Sequence, residues 1–238
     1  MYLSGFVVPV PAGNEEPYLD LALAALPLFK EYGASRQVEA WDDDVPEGES
    51  TDLRRAVKAE DGEVVVFSWL EYPDRATCEE SHRRMMEDPR MTEWPQPLPF
   101  SGARMIFGGF SVLHDTGPGE KPAYVDGALL PVAVADRDAY AALAGRQVAA
   151  IRDHGASRVV VGWGDYLPDG KETDFKGAVK ADAGETVVFS FAEWPSKAVR
   201  DAAWQSLFAD PRMAPQAGDP TIDESRRAFG GFRPILDA

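Results

Sequence analysis

Apolar and polar residues follow one another in short blocks that predict strands and helices in a definite order. Gly5–Val10 is an apolar, β-branched run ended by proline, which predicts a strand. Leucines then recur at helical spacing, so we expect a helix that Asn14 caps and Gly33 ends. Arg36–Trp41 predicts a second strand, and the polar stretch DDDVPEGES after it predicts a loop.

The middle of this block carries a hairpin signal. Arg54–Glu60 and Glu63–Glu71 flank the dipeptide Asp61-Gly62, which favours a tight turn because glycine accepts a positive φ. Within the second segment, Val64–Leu70 is almost continuously apolar, which is typical of a strand buried on both faces. We therefore expect two paired strands here.

A second helix and a last strand complete the block. Asp74 is the expected N-cap of a helix that ends before Asp88-Pro89. Arg104–Leu113 predicts the closing strand, in which Gly108-Gly109 favours a bulge over a close approach to a ligand. The order of elements is β-α-β-β-α-β, with a hairpin elaboration in the middle.

The whole block occurs twice without gaps. AVKAEDGEVVVFSW begins at Ala56, and AVKADAGETVVFSF begins at Ala178, 122 residues later. The motifs GASR, DPRM and FGGF recur at the same offset, and the Gly/Pro-rich stretch TGPGEKP has the composition of a short linker. We expect repeat 1 at residues 1–116, a linker at 117–122 and repeat 2 at 123–238.

This order of elements predicts an α+β fold of two ferredoxin-like repeats. In such a unit both helices cover one face of the antiparallel sheet, and the other face stays open. A strand that is apolar on both faces needs a cover on the open side as well. The second repeat supplies it, so we expect the sheets to pack face to face as an intramolecular dimeric α/β barrel.

Composition and charge limit the classes of partner. The formal net charge of −16 disfavours nucleic acid and anionic membranes, because both need a basic surface. Cys78 is the sole cysteine, which fits a reducing compartment. The N-terminal stretch resembles neither a signal peptide nor a membrane span, so we expect a soluble, cytoplasmic protein.

Several stretches resemble the uncharacterised DUF1428 family: Gly5–Pro11, Arg55–Ala59, Val65–Trp69, Asp88–Arg90 and Arg104–Phe110. The resemblance covers nearly all of repeat 1 and, more weakly, repeat 2. It implies the dimeric α/β-barrel fold, shared with small monooxygenases and haem-degrading enzymes, from chains that are typically one repeat long. It implies no established reaction and no established catalytic residues.

Repeat 2 departs from that pattern where repeat 1 keeps it. Phe100 and Gly102 of repeat 1 have no counterpart in TIDESRRAFGGF, and Trp69 becomes Phe191. We therefore expect any ligand pocket to lie between the sheet and the helices of repeat 1.

His82 and Arg104 are the candidate catalytic residues. His82 lies on the second helix, where repeat 2 has Trp204, and a histidine there can exchange protons near neutral pH. The alternative, which is commoner for a lone histidine, is a packed side chain with one satisfied nitrogen. Arg104 opens the predicted last strand and is expected to face the cleft.

Candidate ligand-binding residues are two lysines and two tryptophans. Lys58 and Lys180 are equivalent, and each lies in a segment expected to be a strand, where an ammonium can bind an anion. Solvent-exposed lysines near the hairpin are the commoner explanation. Trp41 and Trp69 are candidates for an aromatic pocket, although aromatics at strand spacing more often belong to a core.

No metal or cofactor is predicted. The carboxylates of Asp42–Asp44 point to alternate sides of an extended segment, and the other ligands of a calcium loop are misplaced, so a solvated loop is expected. Phosphate-binding and nucleophile-elbow motifs are absent from the sequence.

Three functions remain open on these residues. The first is binding of a small molecule by repeat 1. The second is a cofactor-independent oxygenase or isomerase that acts on an aromatic or polyketide-like substrate, with His82 as proton shuttle, Trp69 as a wall and Arg104 as oxyanion partner. The third is a structural or regulatory oligomer without a ligand. Whether the fused chain forms a further homodimer is left open.

Overall fold

The strands of both repeats join into one closed antiparallel barrel. The computed structural model describes residues 1–90 and 97–238. Its strands are β1 (Tyr2–Pro11), β2 (Arg36–Asp44), β3 (Glu63–Tyr72), β4 (Ile106–Asp115), β5 (Tyr124–Ala133), β6 (Arg158–Tyr166), β7 (Glu185–Trp194) and β8 (Ala228–Asp237). Its helices are α1 (Glu15–Glu31), α2 (Leu53–Ala56), α3 (Arg75–Glu87), α4 (Arg137–Asp153), α5 (Phe175–Ala178) and α6 (Lys197–Leu207).

The two repeats close the barrel through the edges of their sheets. The strand order around the barrel is β1-β3-β2-β8-β5-β7-β6-β4. Strands β2 and β4 are the edges of the first sheet, and they pair with β8 and β6 of the second. A sheet that has no free edge cannot pair further, which removes the usual hazard of exposed strand edges. The prediction of two ferredoxin-like repeats in one barrel is confirmed.

Aromatic side chains fill the interior of the barrel. Phe67 stacks on Phe189 with ring centroids 4.4 Å apart, and these two residues are equivalent in the two repeats. Trp69 stacks on Phe191 at 4.0 Å in the same way. All four side chains are almost completely buried. The predicted burial of β3 on both faces is confirmed, and stacked aromatic rings occupy the interior at this level.

One end of the barrel is plugged by the short helices α2 and α5, where we expected a strand. Asp52 accepts a hydrogen bond from the backbone N–H of Arg55 at 2.8 Å and so caps α2. Leu53, which follows the cap, is fully buried beneath it. The predicted strand Arg54–Glu60 is therefore wrong, because an N-cap and a buried leucine favour a helical turn over an extended segment. Gly62 keeps the predicted positive φ, at +83°.

A network of charged side chains closes the opposite end. Arg36 of repeat 1 binds Asp237 at 2.7 Å and Glu193 at 2.6 Å, both in repeat 2. The equivalent Arg158 binds Glu71 at 2.8 Å and Asp115 at 2.9 Å, both in repeat 1. Each arginine thus holds carboxylates of the other repeat. These pairs join the two repeats across their shared seam.

The long helices cover the outer face of each sheet. Asp74 caps α3 and Ser196 caps α6, as expected, by accepting the N–H of the third residue after the cap. Asn14 does not cap α1, and its amide instead donates to the carbonyl of Pro99 at 2.9 Å. Gly33 ends α1 with φ +99°, as expected.

Strand β2 is longer than predicted and includes the three aspartates. Asp42 pairs with Arg54 at 2.7 Å, and Asp44 pairs with Arg200 at 2.8 Å. Asp43 accepts a hydrogen bond from Tyr124 at 2.8 Å. The predicted solvated loop is therefore wrong for these residues, since each carboxylate has a partner.

The glycine pair in the FGGF motif makes room for other side chains. A Cβ at Gly109 would lie 3.0 Å from ring atoms of Tyr2, and one at Gly108 would lie 2.8 Å from Leu167. The pairing of β4 with β6 also shifts register between Gly109 and Phe110. Close packing and an irregular ladder together explain these glycines without a ligand.

Candidate functional site

The layer between the sheet and the helices of repeat 1 contains an unusual number of polar side chains. Alternation along β2 places Gln37, Glu39 and Trp41 on the helix side, while Val38 and Ala40 face the barrel interior. Gln37 is 1% exposed and Glu39 is 8% exposed. Buried polar groups of this kind need hydrogen-bond partners, so their contacts are informative.

The carboxylate of Glu39 accepts hydrogen bonds from three neutral side chains, Tyr18, Gln37 and Ser68. The hydroxyl of Tyr18, on α1, donates to Oε2 at 2.8 Å, and the amide of Gln37 donates to Oε1 at 2.8 Å. No cationic side chain of residues 1–90 or 97–238 forms an ion pair with this carboxylate. Burial raises the pKa of Glu39, and hydrogen bonds from its neighbours oppose that rise.

The amide oxygen of Gln37 has no hydrogen-bond partner in the described structure. Its amide nitrogen already faces Glu39, and turning the group round would set two acceptors against each other. The orientation of the amide is therefore fixed by the carboxylate. A buried acceptor without a donor marks a place where a donor is missing.

A second polar group lies beneath α3. Nε2 of His82 is 3.1 Å from Oγ of Ser4, on β1, and 3.9 Å from the sulfur of Cys78. Tyr72 and Ser81 share a hydrogen bond of 3.0 Å beside them. Burial lowers the pKa of His82, which favours the neutral imidazole. Burial also raises the pKa of Cys78 to about 12, so its thiol is not a ready nucleophile.

Aromatic rings border the Glu39 end of the layer. The ring of Tyr18 meets Trp41 edge-on at 6.1 Å and Phe100 edge-on at 5.9 Å. Phe100 is only half-buried and belongs to the segment before β4. Tyr18 thus links the buried carboxylate to two further aromatic rings.

Repeat 2 replaces this polar layer. Val159 and Val161 occupy the positions of Gln37 and Glu39 and belong to an apolar cluster. Tyr140, the counterpart of Tyr18, has no hydrogen-bond partner among the described residues.

At the position of Ser4, repeat 2 has Asp126. It accepts from the indoles of Trp194 at 2.9 Å and Trp204 at 2.7 Å, and it pairs with Arg200 at 2.7 Å. Repeat 2 therefore has a larger, paired carboxylate at the position where repeat 1 has Ser4.

The predicted site residues do not assemble into one site. Trp69 faces the barrel interior, whereas His82 lies on the helix side of the same sheet. Arg104 precedes β4 instead of opening it, and its guanidinium binds Glu63 at 2.6 and 2.8 Å. The proposed set of shuttle, wall and oxyanion partner is wrong, because these three residues lie on different faces and at different ends.

The two lysines have structural contacts. Lys58 and Lys180 lie in the turns after α2 and α5, with φ of 49° and 51°, and not in strands. The ammonium of Lys58 donates to the carbonyl of Glu172 at 2.5 Å, and that of Lys180 to Ser50 at 2.6 Å. Each lysine thus links its repeat to the other. The expectation that they lie in strands is wrong, and each ammonium has a protein partner.

Only His82 and Trp41, of the predicted residues, lie in the polar layer of repeat 1. Sequence reasoning missed Ser4, Tyr18, Gln37 and Glu39. The alignment of the two repeats could have indicated these residues, since Glu39 is aligned with Val161 and Ser4 is aligned with Asp126.

Two open clefts lie elsewhere. One, of about 540 Å³, surrounds the charged network at the barrel end and includes linker residues 118–121. The other, of about 530 Å³, lies in repeat 2 beside Tyr166 and Lys176. Neither cleft includes the polar layer of repeat 1.

Two further features concern the described residues alone. No cluster of three or more His, Cys, Asp or Glu side chains in residues 1–90 and 97–238 is arranged to hold a metal ion. Within these same ranges, none of the helices has the length and apolar composition needed to cross a bilayer.

Solved structures share this fold at very low sequence identity. A proposed monooxygenase from Lactobacillus acidophilus matches with a TM-score of 0.58 and 8% identity, covering 100% of this chain and 95% of that one. A second proposed monooxygenase, from Fusobacterium nucleatum, matches with a TM-score of 0.59 and 9% identity, covering 99% and 93%. At this level of identity the likeness concerns the fold alone.

A relative by sequence has the length of one repeat. The uncharacterized protein YbaA of Escherichia coli is 53% identical over 114 residues, which are 48% of this chain and 97% of YbaA. The profile described as "Protein of unknown function (DUF1428)" matches twice, at residues 1–102 and 123–224. The chain is therefore a tandem duplication, and it belongs to the DUF1428 family.

Proposed function

We propose that repeat 1 binds a small organic molecule between its sheet and its two long helices, and that repeat 2 is the structural half of the barrel. The observation that carries this proposal is the unpartnered oxygen of Gln37, buried beside a carboxylate that has no counter-ion. Buried polar groups are costly unless they are satisfied. A bound molecule with hydrogen-bond donors would satisfy them.

Comparison between the repeats supports the same proposal. At the positions of Gln37 and Glu39, repeat 2 has valines that pack in an apolar cluster. The same barrel therefore accommodates apolar residues at these positions, and the fold does not require the polar pair. A polar pair that folding does not need is consistent with a binding role.

Access to the layer would run between α1 and α3. Phe6 lies on β1 between these helices and packs against residues beneath both of them. Phe6, Phe100 and Met105 are each half-buried, so the layer is covered there by side chains and not by backbone. Rotation of such side chains is fast and needs no change in the strands.

The test is native mass spectrometry of the full chain purified from its own cells. We expect an excess mass above the 26.0 kDa chain for the wild type. The double variant Q37V/E39V, which installs the residues of repeat 2, should fold with equal or greater stability and lose the excess mass. Y140F in repeat 2 is the matched control and should keep it. A bare wild-type chain, or retention by Q37V/E39V, would contradict the proposal and favour a structural role.

His82 allows a second candidate, an enzyme that acts on the bound molecule. The supporting observation is the 3.1 Å contact between its imidazole and Ser4, together with the lowered pKa that leaves the ring neutral and able to accept a proton. Recovery of two chemically related compounds from the wild type, and of only one from H82A, would favour the enzyme. Recovery of one and the same compound from the wild type and from H82A would support binding without catalysis.

A further inference from the structure

The polar layer of repeat 1 is short of one positive charge, and this identifies the class of ligand. This inference rests on the proposed function, since it concerns the same site. Glu39 is 8% exposed, and its carboxylate accepts from three neutral side chains, Tyr18, Gln37 and Ser68, but has no cation partner among the described residues. A carboxylate in such a place either takes up a proton or requires a cation.

The missing cation would also be a hydrogen-bond donor. The amide oxygen of Gln37 is buried and has no donor. The nitrogen of the same amide donates to Oε1 of Glu39. Gln37 and Glu39 are two residues apart on one face of β2, so their side chains are neighbours. An ammonium carries several N–H donors and can serve both oxygens together.

The aromatic rings fit the same group. Tyr18 donates to Glu39, and its ring meets the rings of Trp41 and Phe100 at centroid distances of 6.1 and 5.9 Å. Aromatic faces attract ammonium groups through the ring quadrupole, and they also give apolar contact to a carbon skeleton. An anionic ligand would meet a carboxylate here and no described cation, so anions are disfavoured.

We propose that repeat 1 binds a small organic amine as its ammonium ion, which donates to Glu39 and to the amide oxygen of Gln37 while its carbon skeleton packs on Trp41 and Phe100. Repeat 2 cannot bind such a ligand, because valines replace both acceptors. One chain therefore has one amine site.

The experiment compares three probes of similar size on the full chain. These are 2-phenylethylamine, which is charged at neutral pH, 2-phenylethanol, which is neutral, and phenylacetate, which is an anion. Binding is measured by isothermal titration calorimetry and by the shift in melting temperature. We expect the amine alone to bind the wild type.

Variants connect the binding to the carboxylate. E39Q keeps the size of the side chain and one acceptor oxygen but removes its charge, so amine affinity should fall by about tenfold or more. Y140F in repeat 2 should bind the amine as the wild type does. Equal binding of the alcohol or of phenylacetate, unchanged amine binding by E39Q, or no binding of the amine would each overturn the proposal.

The experiments distinguish failure of the amine proposal from failure of the proposed function. If native mass spectrometry recovers a neutral or acidic compound whose retention is lost in Q37V/E39V, repeat 1 is a binding site but the amine is wrong. If no compound is retained and none of the three probes binds, both proposals fail.

Discussion

Separation of the two repeats should abolish the folded monomer. We expect a fragment of residues 1–118 to be either unfolded or a homodimer, because the interior of the barrel is shared between the repeats. Edge strands β2 and β4 would each lose the partner strand that the second repeat supplies. The inner face of the first sheet would lose its apolar cover at the same time.

The size of this loss follows from the buried side chains. Six side chains of repeat 1 that are 0% exposed belong to the barrel interior: Leu3, Val7, Val38, Phe67, Trp69 and Phe110. Burial of one such side chain contributes about 1.5 to 3 kcal/mol, so the six together contribute about 9 to 18 kcal/mol. A whole domain is usually stable by only about 5 to 15 kcal/mol. Exposure of this face is therefore enough to unfold an isolated repeat.

Light scattering coupled to size-exclusion chromatography and urea unfolding at several concentrations will decide the matter. The fragment should show no cooperative transition, or it should unfold as a dimer whose midpoint rises with protein concentration. The full chain is the control, and its midpoint should not depend on concentration because both halves are covalently joined. A monomeric fragment with a cooperative, concentration-independent transition would refute the reasoning.

Two further predictions concern charged residues. Burial raises the pKa of Glu39 in the folded chain, so between the pKa of the unfolded state and that of the folded state only the folded chain keeps the proton. The contribution of Glu39 to the free energy of unfolding should therefore decrease as pH rises above about 4.3. In urea unfolding, the free energy of unfolding of E39Q should increase relative to that of the wild type from pH 4 to pH 7. A difference between the two proteins that does not change with pH would contradict this. R36M should lose about 3 to 5 kcal/mol in the same assay, because Asp237 loses its cation and the buried Glu193 keeps only Arg158, at 4.0 Å. R233M removes an exposed pair and should lose less than about 1 kcal/mol. Equal losses in both arginine variants would show that the seam network is not important.

The barrel was predictable from the sequence because two independent signals agree on it. The repeat gives two copies of one unit, and Val64–Leu70 is apolar on both faces, so the sheets must cover each other. Neither signal depends on where a single residue lies. The plug at the barrel end was not predictable, because Asp61-Gly62 looks the same after a strand and after a short helix. Only the burial of Leu53, in a helix that contacts α5 and β8 of the other repeat, separates the two cases.

The polar layer was hidden for a different reason. RQVEAW alternates polar and apolar residues, which is typical of a strand with one face in water. The structure buries that polar face, because α1 lies over it and places Tyr18 against Glu39. The side of the sheet on which Trp69 lies was also not predictable. Its position in β3 is buried on both faces, so no periodicity can tell whether the ring faces the helices or the interior.

Fusion of the two repeats makes an unequal division of roles physically possible. In a homodimer of identical chains, every buried polar group occurs twice, and its cost to stability is doubled. In one chain each repeat has its own sequence, so Gln37 and Glu39 can remain in repeat 1 while valines fill the equivalent positions in repeat 2. In the second half, Asp126 accepts from Trp194, Trp204 and Arg200, so that buried carboxylate is paired. The polar pair that is costly in repeat 1 is thus absent from the equivalent positions of repeat 2, which is the arrangement expected if only one half was kept for binding.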